Sequence, residues 1–147
     1  MILVVEDNVD DSFHLTRQLA RIDLEDEVHV TGDGMDALEF LLMASPAPLA
    51  VFLDLHLPRL NGIELLTEIR REPRLYDIPV IVTTGSIDPA DFDKCTRLGV
   101  FAYLTKPIGI DLFRKIIACG KSQGSFFPRP VDPHLLDVAS PMLHTGT

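Results

Sequence analysis

Glu6 and Asp7, Asp54, the pair Thr83 and Thr84, and Lys106 lie far apart in the chain, yet each stands at the end of a short apolar run. ILVV precedes Glu6, AVFL precedes Asp54, VIV precedes Thr83, and FAYL lies just ahead of Lys106. Carboxylates brought close together repel, and each tends toward a raised pKa unless a cation joins them. No cluster of His or Cys ligands accompanies these acids. A set of carboxylates, backbone carbonyl and water suits Mg²⁺ or Mn²⁺ and argues against Zn²⁺. A lysine ammonium adds a second positive charge, and a threonine hydroxyl adds a donor. Together these groups suit the charge that develops on phosphoryl oxygens during in-line transfer. No serine or cysteine nucleophile belongs to the set, so a carboxylate must accept the phosphoryl group itself. Asp54 is the natural acceptor, alone at the end of a central run, which leaves Glu6 and Asp7 to hold the metal.

Such a site exists only if the runs are strands with their carboxyl ends on one edge. The runs are Ile2–Val5, Val28–Val30, Ala50–Leu53, Val80–Thr83 and Phe101–Leu104, and several are apolar at every position. Strands buried on both faces of a parallel sheet read this way. Stripes at helical spacing lie between them: Leu15, Leu19 and Ile22; Leu38, Leu41 and Leu42; Ile63, Leu66 and Ile69; Leu112, Phe113, Ile116 and Ile117. A weaker one has Phe92, Cys95 and Leu98 inward. Asp88 before Pro89, Asn61 and Asp10 are expected as N-caps, and Gly99 and Gly120 as helix ends. The pattern predicts an α/β (βα)₅ domain over residues 1–120, with right-handed crossovers and a doubly wound sheet. The functional crevice of such a sheet lies at the carboxyl ends of its strands.

The chain of 147 residues carries 13 basic and 22 acidic side chains, a net charge of −9. That balance argues against a general binder of nucleic acid or anionic membrane. No apolar run approaches the roughly 18 residues of a membrane span, and the MILVVED start lacks the basic region of a signal peptide. A cytoplasmic protein is expected. Cys95 and Cys119 read as buried small hydrophobes, and His14, His29, His134 and His144 show no ligand spacing. Residues 121–147 carry Pro128, Pro130, Pro133 and Pro141 and no periodicity, and read as a C-terminal tail, flexible or a docking arm. Lys121, Arg129, Asp132 and Asp137 cancel there, so the net charge belongs to residues 1–120.

LVVEDN, FLDLHLPRLNG, VTTG and LTKP stand in this order at the ends of the first, third, fourth and fifth runs. With these motifs the chain resembles the receiver domain of two-component response regulators, the phosphoacceptor half of a His-to-Asp phosphorelay. The resemblance covers residues 1–120 and implies the flavodoxin-like strand order 2-1-3-4-5. It implies Mg²⁺ or Mn²⁺ held by Glu6, Asp7, Asp54 and the backbone carbonyl of His56, with Asp54 phosphorylated. Thr84 becomes the switch hydroxyl, in preference to Thr83, and Lys106 the phosphate-binding ammonium. Gly85 is the small residue that admits the phosphoryl group. Tyr103 is the aromatic that swings inward when Thr84 moves.

The His56 side chain is expected beside the site, where with Ser86 it tunes the access of water to the acyl phosphate. Asn61-Gly62 reads as turn chemistry plus a cap. The implied partners are a sensor histidine kinase and a downstream protein. The VEDN-x-DD start, the RREPRLYDIPVIVTT stretch and the Pro-rich tail also resemble small regulators paired with bacterial phytochromes. Those regulators dimerise through the fourth helix, fifth strand and fifth helix; Phe101, Phe113 and the tail phenylalanines would suit such an interface, and core packing explains Phe101 and Phe113 equally well. The implied role is a phosphoacceptor switch rather than an enzyme. The enzyme alternative, an aspartate-nucleophile Mg²⁺-dependent phosphohydrolase, uses nearly the same groups, but its D-x-D pattern has His56 in the second position and no cap domain is present.

Overall fold

The computed structural model describes residues 1–21, 28–85 and 88–122. Five strands, β1 (Ile2–Val5), β2 (Val28–Thr31), β3 (Ala50–Leu53), β4 (Val80–Thr84) and β5 (Ala102–Thr105), alternate with five helices. The helices are α1 (Val9–Ala20), α2 (Gly34–Met43), α3 (Gly62–Arg71), α4 (Pro89–Arg97) and α5 (Ile110–Ser122). All strand pairs are parallel, and the sheet order is β2-β1-β3-β4-β5. The doubly wound α/β fold with order 2-1-3-4-5 is therefore as expected.

Alternating side chains of the strands feed two cores. Leu3, Val5, Val51, Leu53, Val80, Val82 and Tyr103 pack with Ala37 and Leu41 of α2, Leu65, Leu66 and Ile69 of α3, and Cys95 of α4. Ile2, Val4, Phe52, Ile81, Ala102 and Leu104 pack with Leu15 and Leu19 of α1 and Ile116 of α5. Burial on both faces is why β1 and β3 are apolar at every position. β2 lies at one edge and leaves Val30 45% exposed. No helix among the described residues is long and apolar enough to cross a membrane.

Asp88 caps α4 ahead of Pro89, and Asn61 forms a capping box with Glu64 on α3. Gly99 takes φ 70 just past the end of α4, the left-handed stop that glycine favours. Three local readings need correction. Asn8, not Asp10, caps α1, because its side chain accepts from the Asp11 amide. α5 continues through Gly120 to Ser122; a glycine weakens a helix without ending it. Leu42 is 41% exposed, because α2 buries Gly34, Ala37 and Leu41 instead, with Gly34 close against Leu60. Phe101 is buried in the second core, the packing alternative of the two its position allowed. Ile22, Ser86 and tail residues 123–147 lie outside the described residues, as do the side chains of Phe113, Ile117 and Cys119.

Candidate functional site

The parallel ladder runs one residue past the strands and sets the site's backbone. The Glu6 amide donates to the Thr31 carbonyl at 2.9 Å, the Asp54 amide to Val5 at 2.9 Å, and the Lys106 amide to Thr84 at 2.8 Å. Glu6, Asp54 and Lys106 thus start side by side on the carboxyl edge. β1 lies between β2 and β3, where the strand order reverses, and its acids face Asp54 across that point. Carboxylate oxygens of Glu6, Asp7 and Asp54 lie within 4.8 Å of one another. Glu6 and Asp54 are buried, and Asp7 is exposed.

Lys106 supplies the compensating charge. Its Nζ lies 2.5 Å from Glu6 Oε1, 2.9 Å from Asp11 Oδ2 and 3.6 Å from Asp54 Oδ1. Burial pushes the Glu6 carboxyl above its usual pKa and the Asp54 charge adds to this, while hydrogen bonds from Lys106 and the Asn8 amide oppose it. Burial draws the Lys106 ammonium down, but its hydrogen bonds to Glu6 and Asp11 outweigh that and hold it above its usual value. The donor set is all oxygen and its negative charge exceeds the one ammonium beside it, so the residues present fit Mg²⁺ or Mn²⁺.

Strand parity separates the threonines. Thr84 shares a face with Val80, Val82 and the neighbouring strand's Tyr103, whereas Thr83 shares the face of Ile81 and Leu104. Both are buried. Gly85 follows at the surface, and a Cβ built there meets nothing within 4 Å. It lines a groove of about 410 Å³ with Asp11, His14, Gln18 and Lys106. His56 is exposed on the other side, in an open groove of about 740 Å³ with Asp7, Asn61 and Lys94.

Tyr103 stands inward in this structure. Its ring is already inward and fully buried, packed edge-on against Phe92 with centroids 5.2 Å apart. Burial, then the nearby Cys95, pushes its phenol above the ordinary value, and its hydroxyl has no hydrogen-bond partner among the described residues. An inward swing is thus not needed to reach the core.

Sequence reasoning missed two residues that shape the site. Asp11, on the first turn of α1, grips Lys106 across 95 positions of sequence. Gly62 does more than follow a cap: a Cβ there would stand 2.4 Å from the Asp54 carbonyl oxygen and 2.6 Å from Leu55 Cα. Asn-Gly after the acceptor was the available signal, since a close backbone approach also selects glycine.

The sequence profile of the response regulator receiver domain matches residues 2–118. Response regulator Rcp1 of Synechocystis sp. (strain ATCC 27184 / PCC 6803 / Kazusa) is 37% identical over 122 residues, covering 79% of this chain and 83% of Rcp1. The crystal structure of the phosphorylated cyanobacterial phytochrome response regulator RcpA is 34% identical, with TM-score 0.69, covering 78% of this chain and 86% of that one. The crystal structure of Mn²⁺-bound Rcp1 is 33% identical, with TM-score 0.71, covering 88% and 97%. With the acids, threonine and lysine gathered at the strand ends, the chain belongs to the response regulator receiver domain family.

Proposed function

We propose that the protein is a single-domain phosphoacceptor switch in which Asp54 takes a phosphoryl group from a sensor histidine kinase. The observation that carries this is the buried Asp54 carboxylate with Glu6 and Asp7 oxygens within 4.8 Å and the Lys106 ammonium at 3.6 Å. An Asp54 oxygen attacks the phosphorus of a phosphohistidine. A P–O bond forms, the P–N bond breaks, and its electron pair returns to the imidazole nitrogen. Glu6, Asp7, Asp54 and the His56 backbone carbonyl would hold Mg²⁺ or Mn²⁺, which compensates phosphoryl charge when bound. Lys106 and the Thr84 hydroxyl engage the phosphoryl oxygens, and Gly85 leaves room for them. Open space around its Cα supports that role.

The added charge biases a two-state surface by its differential contacts. Tyr103 shares the Thr84 face, so it reports on Thr84 by holding or releasing its packed position rather than by entering from outside. His56 and Ser86 tune the access of water to the acyl phosphate. The output is binding to a downstream protein, in the cytoplasm, rather than turnover of a substrate. The names of RcpA and its kin support a phytochrome-class kinase as donor. A homodimer through α4, β5 and α5 belongs to the same reading.

The test is incubation with acetyl phosphate and Mg²⁺, followed by intact mass and gel filtration, for wild type and Asp54→Asn. One added phosphoryl group on wild type alone supports the reading. An unlabelled wild type under excess donor, or equal labelling of Asp54→Asn, overturns it. Multiple turnover of a small phosphate ester would favour the phosphohydrolase.

A further inference from the structure

A lysine ammonium has three N–H donors. Two of those of Lys106 are engaged, by Glu6 Oε1 at 2.5 Å and Asp11 Oδ2 at 2.9 Å, whereas Asp54 Oδ1 at 3.6 Å lies beyond hydrogen-bond reach. The two holders come from different elements: Glu6 from the end of β1, and Asp11 from the first turn of α1. The Asp11 backbone is fixed by the Asn8 cap, whose side chain accepts from its amide at 3.0 Å. Its carboxylate is not part of the group formed by Glu6, Asp7 and Asp54, and it is 43% exposed. The core does not require a carboxylate there, and its one ion-pair partner among the described residues is Lys106.

We infer that Asp11 is a positioning residue that draws the Lys106 ammonium toward α1 and away from Asp54, so that an arriving phosphoryl group must take Lys106 from it. This rests on Asp54 being the phosphoacceptor. A phosphoryl monoester carries about −1.5 to −2 charge and three acceptor oxygens, more than the single charge of a carboxylate, so it outbids Asp11 once in place. Before that, Asp11 lowers the site's readiness. Removing its charge while keeping its shape releases Lys106 from α1, leaves it to Glu6 and Asp54, and favours the phosphorylated form.

The experiment measures the affinity for beryllofluoride, a phosphoryl stand-in, in excess Mg²⁺ by NMR titration of the full chain. Asp11→Asn should bind about threefold more tightly than wild type, the scale of a partly exposed ion pair. Asp11→Glu, which restores the carboxylate, should return most of the way to wild type. In a Lys106→Gln background Asp11→Asn should change nothing. An unchanged or weaker affinity of Asp11→Asn, with wild type binding normally, overturns the inference and leaves the acceptor reading intact. An equal gain in both backgrounds also overturns it, because the charge would then act without Lys106. Failure of wild type to bind beryllofluoride or to label with acetyl phosphate strikes the acceptor reading itself.

Discussion

Lys106 Nζ stands 3.6 Å from the Asp54 carboxylate and only 2.5 Å from that of Glu6. The ammonium is thus hydrogen-bonded to the neighbouring acid and only ion-paired, at longer range, with the acceptor. Asp54 in turn pushes the Glu6 carboxyl up. Asp54→Asn removes that repulsion without changing shape. In chelator, the variant should be more stable than wild type by about 1 kcal/mol in urea denaturation. Saturating Mg²⁺ should narrow the gap. A less stable variant in chelator would show that repulsion does not govern this crevice.

Glu6 gives the pH dependence a sign. Its folded pKa is raised, chiefly by burial, so the folded protein holds the Glu6 proton more tightly than the unfolded chain. That contribution is fully present below the unfolded value of 4.5 and is lost as pH rises through the folded value. Without metal, Glu6→Gln should therefore gain stability relative to wild type as pH climbs from 4.5 toward neutrality. Lys106, raised above 10.5, does not titrate in that window. Paired urea curves across the range check this, and a constant difference between the two proteins refutes it.

Two glycines beside the site should respond in opposite ways. At Gly62 a Cβ would meet the Asp54 carbonyl oxygen at 2.4 Å, so Gly62→Ala should cost about 2–3 kcal/mol and slow labelling by displacing the acceptor. At Gly85 a Cβ meets nothing within 4 Å, so Gly85→Ala should leave stability within about 0.5 kcal/mol of wild type. If the phosphoryl group occupies that space, Gly85→Ala should still slow labelling by acetyl phosphate. Denaturation and labelling rates on both variants separate the two effects.

The Tyr103 hydroxyl is buried with no hydrogen-bond partner among the described residues. A buried hydroxyl left without a partner costs roughly 1–3 kcal/mol. Tyr103→Phe keeps the edge-on contact with Phe92 and removes that cost, so its melting temperature should rise, by an amount worth about 1 kcal/mol. A lower melting temperature would mean that the hydroxyl contributes a stabilising contact.

Much of this was readable before any coordinates, and the reasons are local. Runs such as ILVV and AVFL are apolar at every position because both their faces are covered, and that alone points to a parallel sheet. Asn61 and Asp88 mark helix starts because a cap needs a short polar side chain there. Glu6, Asp54 and Lys106 were legible as one site because strand ends in such a sheet converge. Asp11 was not: an acid in a first helical turn ordinarily serves the helix dipole, and its grip on Lys106 comes from a strand 95 positions away. Leu42 fits a helical stripe as well as Leu41 does, and it is the packing of Ala37 and Leu41 into the core, with Gly34 close against Leu60, that leaves Leu42 outside. The inward ring of Tyr103 depends on Phe92, a partner from another element that no spacing announces.

The segment from Asp54 to Gly62 is clamped along its length. Its start is in the ladder, Arg59 bridges Asp33 and Asp36 at the head of α2, and Leu60 rests against Gly34 where a Cβ would stand 1.8 Å from its carbonyl oxygen. Gly62 folds back onto Asp54 itself. This wall of the crevice leaves no spare volume, whereas on the opposite side β4 is held between two strands as far as Thr84 and only Gly85, just past it, borders open space.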